Sequence, residues 1–411
     1  MTTKINNEHK KLNVPNKREQ NQTCLDSAER EGLRPKGNVP NLRFPEFQGE
    51  WHSFLINEIC SEFKSSKNIK ADSISENGEY PVFGGNGLRG YTASYNHEGL
   101  YVLIGRQGAL CGNVRSVNGK TYITEHAIAA AGNEKSDTSF LHYLFFKMNL
   151  GQYSDQSAQP GLAVNKLLKL KVLLPPISEQ KKIAKLLSLL DERIATQNKI
   201  IEDLKKLKCA IIEKVFNGKH SEKLQLNDVG SYIRGLTYSS NDVVEHGGTL
   251  VMRSNNIING TLLDYNNNVV FVNKQMSAEQ QLQNGDVVIC MANGSSSLVG
   301  KSSFYDGNWH SPITVGAFCG IYRSKEPIVK WLFQTNKYRR YIWNSLQGGN
   351  GAIANLNGED ILNMSFSIPN APIKDTCVKM LTSVDSALIN NMSLCTLYTL
   401  QKQHLLRQMF I

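Results

Sequence analysis

The feature that most constrains this chain is a heptad pattern that occurs twice. IAKLLSLLD at 183–191 is similar to CVKMLTSVD at 377–385, 194 positions later (377 − 183), and Phe216 and Phe410 keep that offset. Each stretch begins a run of apolar residues at alternating spacings of four and three, which is typical of a coiled-coil seam. The predicted seam residues are Ile183, Leu187, Leu190, Ile194, Ile201 and Leu204 in the first run, and Leu381, Val384, Leu388, Tyr398 and Leu405 in the second.

The polar breaks of the two seams also match. Gln197 aligns with Asn391, and Lys208 aligns with Lys402, at the same offset. A polar residue in an apolar seam tends to fix register and partner, so we predict two helices that pack on each other. Because 179–216 contains no Gly or Pro, the first helix can be continuous over about 57 Å. The alternative is an ordinary amphipathic helix in a globular core, which the length and the repetition disfavour.

A fainter repeat lies upstream of each long helix. GLYVLIGRQGA at 99–109 is similar to GDVVICMANGS at 285–295, with Gly108 aligned on Gly294, and YLF at 143–145 is similar to WLF at 331–333. Alternating apolar residues and Gly/Asn turns predict β-rich units. We therefore predict an α+β fold with two β-rich domains related by pseudo-two-fold symmetry and separated by two long antiparallel coiled-coil helices.

This pattern divides the chain into segments of different character. They are a polar, flexible N-terminal tail at 1–40, a first β-rich domain at 41–175, a first long helix at 176–217, a second β-rich domain at 222–369 and a second long helix at 370–411.

The charge balance favours a polyanionic partner. The formal net charge is +10, and a basic surface of this size suits nucleic acid, although charge alone also fits a merely soluble basic protein. No apolar run reaches the roughly 18 residues of a membrane span, and the start has no secretion signal, so we expect a cytoplasmic protein that uses no membrane. The eight cysteines form no Cys-x-x-Cys pair, which argues against a metal site.

Two glycine-rich motifs resemble nucleotide sites without completing them. Residues 85–90 fit GxGxxG, but strand and turn residues follow where a helix is required. Residues 294–302 resemble a P-loop, yet five residues separate the glycines where four are needed to cradle phosphates. We find no nucleophile with a nearby base, so we predict no catalytic residue and no cofactor bound by this chain.

Several blocks resemble a known family. NLRFPEFQGEW at 41–51, YPVFGGNGLRGY, YVLIGRQGALCGNV, TEHAI and LLPPISEQKKIAKLLSLLD resemble the specificity subunits of type I restriction–modification systems. The resemblance covers about 41–217 strongly. The second half matches in order, but IPNAPIKDTCVKMLTSVD lacks the PPxxEQ form.

This resemblance implies a non-catalytic DNA-specificity subunit. Each recognition domain of such a protein reads one half of a split, asymmetric site in double-stranded DNA, and the helices set the distance between the halves. Two modification subunits would carry S-adenosylmethionine and methylate adenine, and two restriction subunits would use ATP and Mg for translocation and cleavage in host defence. A self-contained methyltransferase or nuclease would need a cofactor loop that we do not find, and the duplicated polar loops argue against a coiled-coil protein scaffold.

Polar residues in Gly-flanked loops are the candidate DNA contacts, because Arg suits guanine edges and Asn or Gln suits adenine edges. The candidates for base contacts are Asn86, Arg89, Arg106, Gln107 and Gln159 in the first domain, and Arg253, Asn255, Asn256, Asn293 and Gln347 in the second. Ser295, Ser296, Ser297 and Lys301 suit phosphate contacts. Arg339 and Arg340 fit equally well as an exposed basic helix face.

Overall fold

The computed structural model describes residues 37–108, 110–155, 160–218, 222–265, 267–346 and 354–411. The contacts divide the chain into two compact units, which we call the first unit (residues 37–198 with Ser393–Ile411) and the second unit (Lys199–Met392). Each unit therefore combines one β-rich domain with a part of both long helices. The described chain begins inside the segment expected as a tail, and Asn38 O there accepts a hydrogen bond from Trp51 N (2.7 Å).

The first unit is built on two four-stranded sheets. Its strands are β1 (His52–Leu55), β2 (Cys60–Ser65), β3 (Tyr80–Gly84), β4 (Gly87–Thr92), β5 (His97–Glu98), β6 (Tyr101–Gly105), β7 (Val114–Val117), β8 (Lys120–Ile123), β9 (Ala127–Gly132) and β10 (Lys171–Leu174). Its helices are α1 (Ile56–Ile59), α2 (Thr138–Met148), α3 (Val164–Leu167) and the beginning of α4 (Ile177–Phe216). The sheet orders are β2-β9-β6-β7 and β4-β3-β8-β5, and β1 pairs with β10.

The second unit repeats this plan with longer loops. Its strands are β11 (Glu222–Gln225), β12 (Gly230–Arg234), β13 (Val243–Val244), β14 (Thr249–Met252), β15 (Val270–Val272), β16 (Val287–Cys290), β17 (Ala292–Asn293), β18 (Ser302–Phe304), β19 (Ile313–Val315), β20 (Cys319–Ser324), β21 (Ala354–Asn355) and β22 (Ser365–Ile368). Its helices are α5 (Leu226–Val229), α6 (Val329–Leu332), α7 (Asn336–Leu346), α8 (Gly358–Leu362) and most of α9 (Ala371–Gln408). The sheet orders are β12-β20-β16-β18 and β13-β15-β14-β19.

The strand pairing corrects the alignment of the two copies. In the first sheet of each unit, β6 lies between β9 and β7, and β16 lies between β20 and β18. Ile104 packs in the core beneath α2, and Ile289 packs in the equivalent core beneath α6. These two residues are 185 positions apart (289 − 104), whereas the alignment of Gly108 on Gly294 used 186. That alignment was wrong by one residue, which in a strand would turn every side chain to the opposite face.

The core of the first unit is closed by aromatic rings from distant parts of the chain. Helix α2 begins at an N-cap, where Asp137 accepts a hydrogen bond from Phe140 N (3.0 Å). Phe140 stacks on Phe410 with ring centroids 5.1 Å apart, and Trp51 meets both rings edge-on. Because all three side chains are buried, the last turn of the chain is held in this unit by about 1.5–3 kcal/mol per ring.

The two long helices run antiparallel in the first unit, and an ion pair joins them in the second. In the first unit Lys402 Nζ lies 2.5 Å from Asp191 Oδ1, and Cys395 Sγ lies 3.3 Å from Asn198 Oδ1, so the numbers rise on one helix as they fall on the other. In the second unit Lys208 Nζ lies 2.6 Å from Asp385 Oδ1. The polar breaks at Lys208 and Lys402 are therefore ion-pair positions. Every predicted seam residue is buried or half-buried.

The PPxxEQ block has a structural role at the start of α4. Glu179 is fully buried and receives a two-pronged hydrogen bond from Arg43, with Nε–Oε1 at 2.8 Å and Nη2–Oε2 at 2.7 Å. Gln180 accepts from Asp137 N (2.8 Å) and donates to the Pro175 carbonyl (2.8 Å). The block thus ties the first β-rich domain to its helix. None of the helices in the described ranges is long and apolar enough to cross a membrane.

Candidate nucleic-acid interface

The first domain gathers its predicted contacts around a close approach of three turns. A Cβ on Gly85 would lie 2.6 Å from the His126 carbonyl oxygen and 3.4 Å from Gly105 Cα, so only glycine allows the β3–β4 turn to sit there. The same Cβ would lie 3.6 Å from the backbone N of Arg106, which directly follows β6, and exposed Asn86 is the next residue of the turn. The side chain of Arg89 folds back over Gly84, whose Cβ would lie 2.9 Å from Arg89 Cδ.

Arg106 and Gln107 are fixed by their neighbours. The backbone N of Arg106 donates to the His126 carbonyl (2.9 Å), and its Nη1 donates to Ser65 Oγ (3.1 Å). Gln107 Oε1 lies 3.2 Å from His126 Nδ1. Arg106 is half-buried and Gln107 is exposed. Because a guanidinium has five N–H donors, Arg106 is positioned by one bond and keeps further donors for a base edge.

The structure adds two residues that the sequence interpretation missed. Arg115 on β7 lies over the β3–β4 turn, since a Cβ on Gly87 would be 2.8 Å from its Nη1. His126 at the β8–β9 turn leaves 46% of its side chain exposed. The antiparallel pairing of Leu103 with Arg115 is the signal that could have found Arg115. We call this group the first loop surface: Asn86, Arg89, Arg106, Gln107, Arg115 and His126. Gln159 lies outside the described residues.

In the second domain, Arg253, Asn255 and Asn293 come together through Ser254. Asn293 Nδ2 donates to Ser254 Oγ (3.3 Å), which joins the end of β17 to the turn after β14. Arg253 is half-buried, with Nη2 donating to the Asn268 carbonyl (3.1 Å), while Asn255 is exposed. The same turn contributes to a cavity of about 440 Å³ whose rim carries Phe318, a residue that the sequence interpretation did not single out.

Asn256 does not belong with these exposed side chains. It is fully buried, its Oδ1 accepts from Arg253 N (2.9 Å), and its Nδ2 donates to the carbonyls of Asp264 (3.1 Å) and Asn267 (2.7 Å). A side chain committed to three backbone groups holds the loop in shape and cannot reach a base edge. We therefore withdraw Asn256 from the candidate base contacts.

The predicted phosphate contacts lie at a second, smaller cavity. Ser295, Ser296 and Ser297 are exposed on the turn after β17, and Lys301 is half-buried. A cavity of about 210 Å³ brings two of these serines and Lys301 together with residues of α7. Its lining includes Ser296, Ser297, Lys301, Arg339 and Trp343. Arg339, which the sequence left open, therefore shares a site with Lys301. Gln347 lies outside the described residues.

Two groups with shifted pKa values, His142 and Lys330, lie beside charged residues of the long helices. Burial lowers the pKa of His142 to about 4, and the nearby Lys402 adds to this effect. Burial also lowers the pKa of Lys330 in the second unit, while Asp385 acts in the opposite direction. Such values mark structural positions here, because each group packs beside an ion pair of the helices. Among the described residues, no three His, Cys, Asp or Glu side chains are grouped to hold a metal ion.

Comparisons with known proteins agree with this architecture. Residues 48–206 match the family model of the type I restriction modification DNA specificity domain. The chain is 42% identical over 154 residues to the EcoprrI specificity subunit of Escherichia coli, a match that covers 36% of this chain and 38% of that protein. It is 34% identical over 158 residues to the EcoKI specificity subunit of Escherichia coli K12, over 36% of this chain and 31% of the relative. The chain thus matches less than two fifths of the length of these relatives.

The fold is that of a solved S subunit over nearly the whole chain. The S subunit of a type I restriction–modification system from M. genitalium superposes with a TM-score of 0.67 at 16% sequence identity, covering 91% of this chain and 99% of that one. The fold defines a class of protein that combines two β-rich domains with two long helices. Residues 48–206 thus resemble a type I restriction modification DNA specificity domain, and the fold over nearly the whole chain is similar to that of a type I S subunit.

Proposed function

We propose that this chain is the non-catalytic DNA-recognition subunit of a type I restriction–modification complex, and that each domain reads one half of a bipartite, asymmetric DNA site. The observation that carries this proposal is the convergence of Arg, Asn and Gln side chains on turns at equivalent strand ends of both domains. Side chains of these types make the bidentate contacts that distinguish guanine and adenine in the major groove.

The contacts divide by chemistry. Arg106 and Gln107 in the first domain, and Arg253, Asn255 and Asn293 in the second, are proposed to contact base edges. Ser295, Ser296, Ser297 and Lys301 are proposed to contact phosphates, which position the subunit without specifying sequence. The net charge of +10 supports a polyanionic partner.

The chemistry of the complex is assigned to other chains. We propose that two modification subunits bind S-adenosylmethionine and methylate adenine in each half-site, and that two restriction subunits bring ATP- and Mg-dependent translocation and cleavage. The support is that the relatives matched over part of this chain are named specificity subunits. The complex would act in the cytoplasm, where it meets invading DNA.

The test is methylome sequencing of cells with and without the gene. We expect one bipartite motif, with methylated adenine in both halves, that disappears when the gene is deleted. Deleting one heptad from α4 is expected to change the tolerated spacer while both half-sites remain. The absence of any gene-dependent motif would overturn the proposal, as would transfer of a labelled methyl group to DNA by the purified chain alone.

A further inference from the structure

The turn between β19 and β20 presents a phenylalanine ring on a fixed backbone. Phe318 is 66% exposed, although its carbonyl accepts hydrogen bonds from Met291 N (2.9 Å) and Ala292 N (3.1 Å). The turn is further held by Gly316 N, which donates to the Met252 carbonyl (2.9 Å). A single exposed apolar side chain is common on protein surfaces, so the ring becomes informative only through what lies beside it.

Phe318 lines the cavity of about 440 Å³ together with both apolar and polar residues. The apolar part is made by Leu236, Tyr238, Ala317 and Phe318, and the polar part by Arg253, Ser254 and Asn255. None of the described residues that line it carries a carboxylate, so Arg253 gives the cavity a positive potential. The cavity has the volume to admit the edge of a base pair rather than a single water molecule.

Arg253 is held in place without using all its donors. Its Nη2 donates to the Asn268 carbonyl (3.1 Å), and its Nε has no hydrogen-bond partner among the described residues. A buried donor without a partner costs roughly 1–3 kcal/mol, which an incoming acceptor can offset if the group adjusts to meet it. Asn255 beside it is exposed and presents both an amide donor and an acceptor.

We propose, building on the function proposed above, that this cavity reads an A·T pair and that Phe318 determines the specificity by packing on the thymine 5-methyl group. In the major groove an A·T pair presents that methyl group on one side and the adenine N6 and N7 atoms on the other. Phe318 and Asn255 match these two features, and Arg253 suits the N7 and O6 atoms of a guanine in a neighbouring pair. The ligand is thus duplex DNA that carries a thymine methyl group.

The first domain does not share this arrangement. His126 occupies the turn equivalent to that of Phe318, because its carbonyl accepts from Arg106 N (2.9 Å) as the Phe318 carbonyl accepts from Met291 N. The His126 ring contacts Gln107 and Glu125, so this position is polar. Recognition of a thymine methyl group at this turn is therefore assigned to the half-site read by the second domain.

The experiment removes one methyl group at a time. The full chain, assembled with its modification subunits, is titrated with duplexes in which each thymine of both half-sites is replaced in turn by deoxyuridine. We expect one replacement to weaken binding about four-fold, the value of one buried methyl group. Phe318→Ala should bind natural DNA with the same loss and should no longer distinguish thymine from uracil at that position. Phe318→His, which copies the first domain, should behave likewise.

The controls separate this inference from the function on which it rests. Val243→Ala, at another exposed apolar residue of the second unit, should keep the discrimination between thymine and uracil. The inference is overturned if no single replacement weakens the unsubstituted complex, if both Phe318 variants still discriminate, or if the site contains no thymine. Failure of the proposed function would instead appear as the absence of any sequence-specific binding by the unsubstituted complex.

Discussion

The two units differ in how their loops are made, while the attachment of each domain to the helices is the same. In the first unit Tyr143 donates to Asp191 (2.9 Å), and Asp191 pairs with Lys402. In the second unit Trp331 donates to Asp385 (2.9 Å), and Asp385 pairs with Lys208. Each attachment therefore consists of an aromatic donor from the domain, an aspartate from one helix and a lysine from the other.

The turns at the strand ends have diverged. Arg106 of the first domain corresponds to Met291, since the Arg106 carbonyl accepts from Leu162 N (2.9 Å) and the Met291 carbonyl from Leu356 N (2.8 Å). Arg115 opposite Leu103 corresponds to buried Ser303 opposite Val288. Two domains that recognise different half-sites need the same attachment to the helices but different loops.

Removal of the aspartate at each attachment, Asp385 or Asp191, should reveal the largest difference between the units in the free energy of unfolding. The Lys208–Asp385 side chains are only 5% and 6% exposed, whereas Lys402 and Asp191 are 17% and 37% exposed. Asp385→Ala leaves a buried lysine without its counter-charge and should cost about 3–5 kcal/mol of unfolding free energy. Asp191→Ala should cost about 1 kcal/mol, because water screens the more exposed pair. Urea titration of each variant measures its free energy of unfolding, and equal losses in the two variants would contradict the difference in burial.

The next effect is a pH dependence that arises from His142 in the first unit. The pKa of His142 is about 4 in the folded protein, below its ordinary value of 6.5, chiefly because the ring is buried. The unfolded chain then binds a proton that the folded chain excludes, so stability is intact above pH 6.5 and falls as the pH drops towards 4. The loss is about 3 kcal/mol at most. Unfolding of the unsubstituted chain and of His142→Phe, measured across this range, should differ in slope, and identical slopes would contradict the assignment.

The helices and the repeat were predictable because their signals are periodic. Heptad spacing around Leu187 and Leu381 depends only on side-chain polarity, and both side chains are fully buried. The alignment of Gly108 on Gly294 failed because glycines in turns do not report which face a strand residue occupies. The core that Ile104 and Ile289 enter decides that alignment, because the residues next to them in the strands are buried in a different core, and this depends on the tertiary structure.

The residue types of the candidate contacts were predictable from the sequence, but their burial and their spatial neighbours were not. Asn256 and Asn255 are chemically identical in the sequence, yet one is fully buried in the loop and the other is exposed. Arg115 reaches the first loop surface only through the β6–β7 pairing, and Phe318 becomes a candidate only because a cavity lies beside it. Long-range strand pairing brings these residues together, and local sequence patterns do not encode it.

Substitution of Arg106 tests whether the two domains, whose loops differ, also recognise different bases. Arg106→Ala should reduce discrimination at one base pair of one half-site by about 1–3 kcal/mol, with little change in stability. The matched variant Met291→Leu, at the equivalent position in the second domain, keeps the volume of a buried side chain and should leave both half-sites unchanged. Methylome sequencing of cells with each variant gives the answer. Uniform weakening at all sequences in Arg106→Ala would reassign this residue to phosphate contact.

The smallest expected effect concerns the cavity that Lys301 and Arg339 share in the second domain. If Lys301 contacts a phosphate, Lys301→Ala should lower the slope of log binding constant against log salt by about one and should weaken all sequences alike. Arg339→Ala should do the same, because the two cations line one site. Lys223→Ala, an exposed lysine on β11, is the matched control and should leave the slope unchanged. A sequence-dependent loss in Lys301→Ala would instead show that this side chain reads a base, so that the second domain would read DNA at two cavities where the first has a single loop surface.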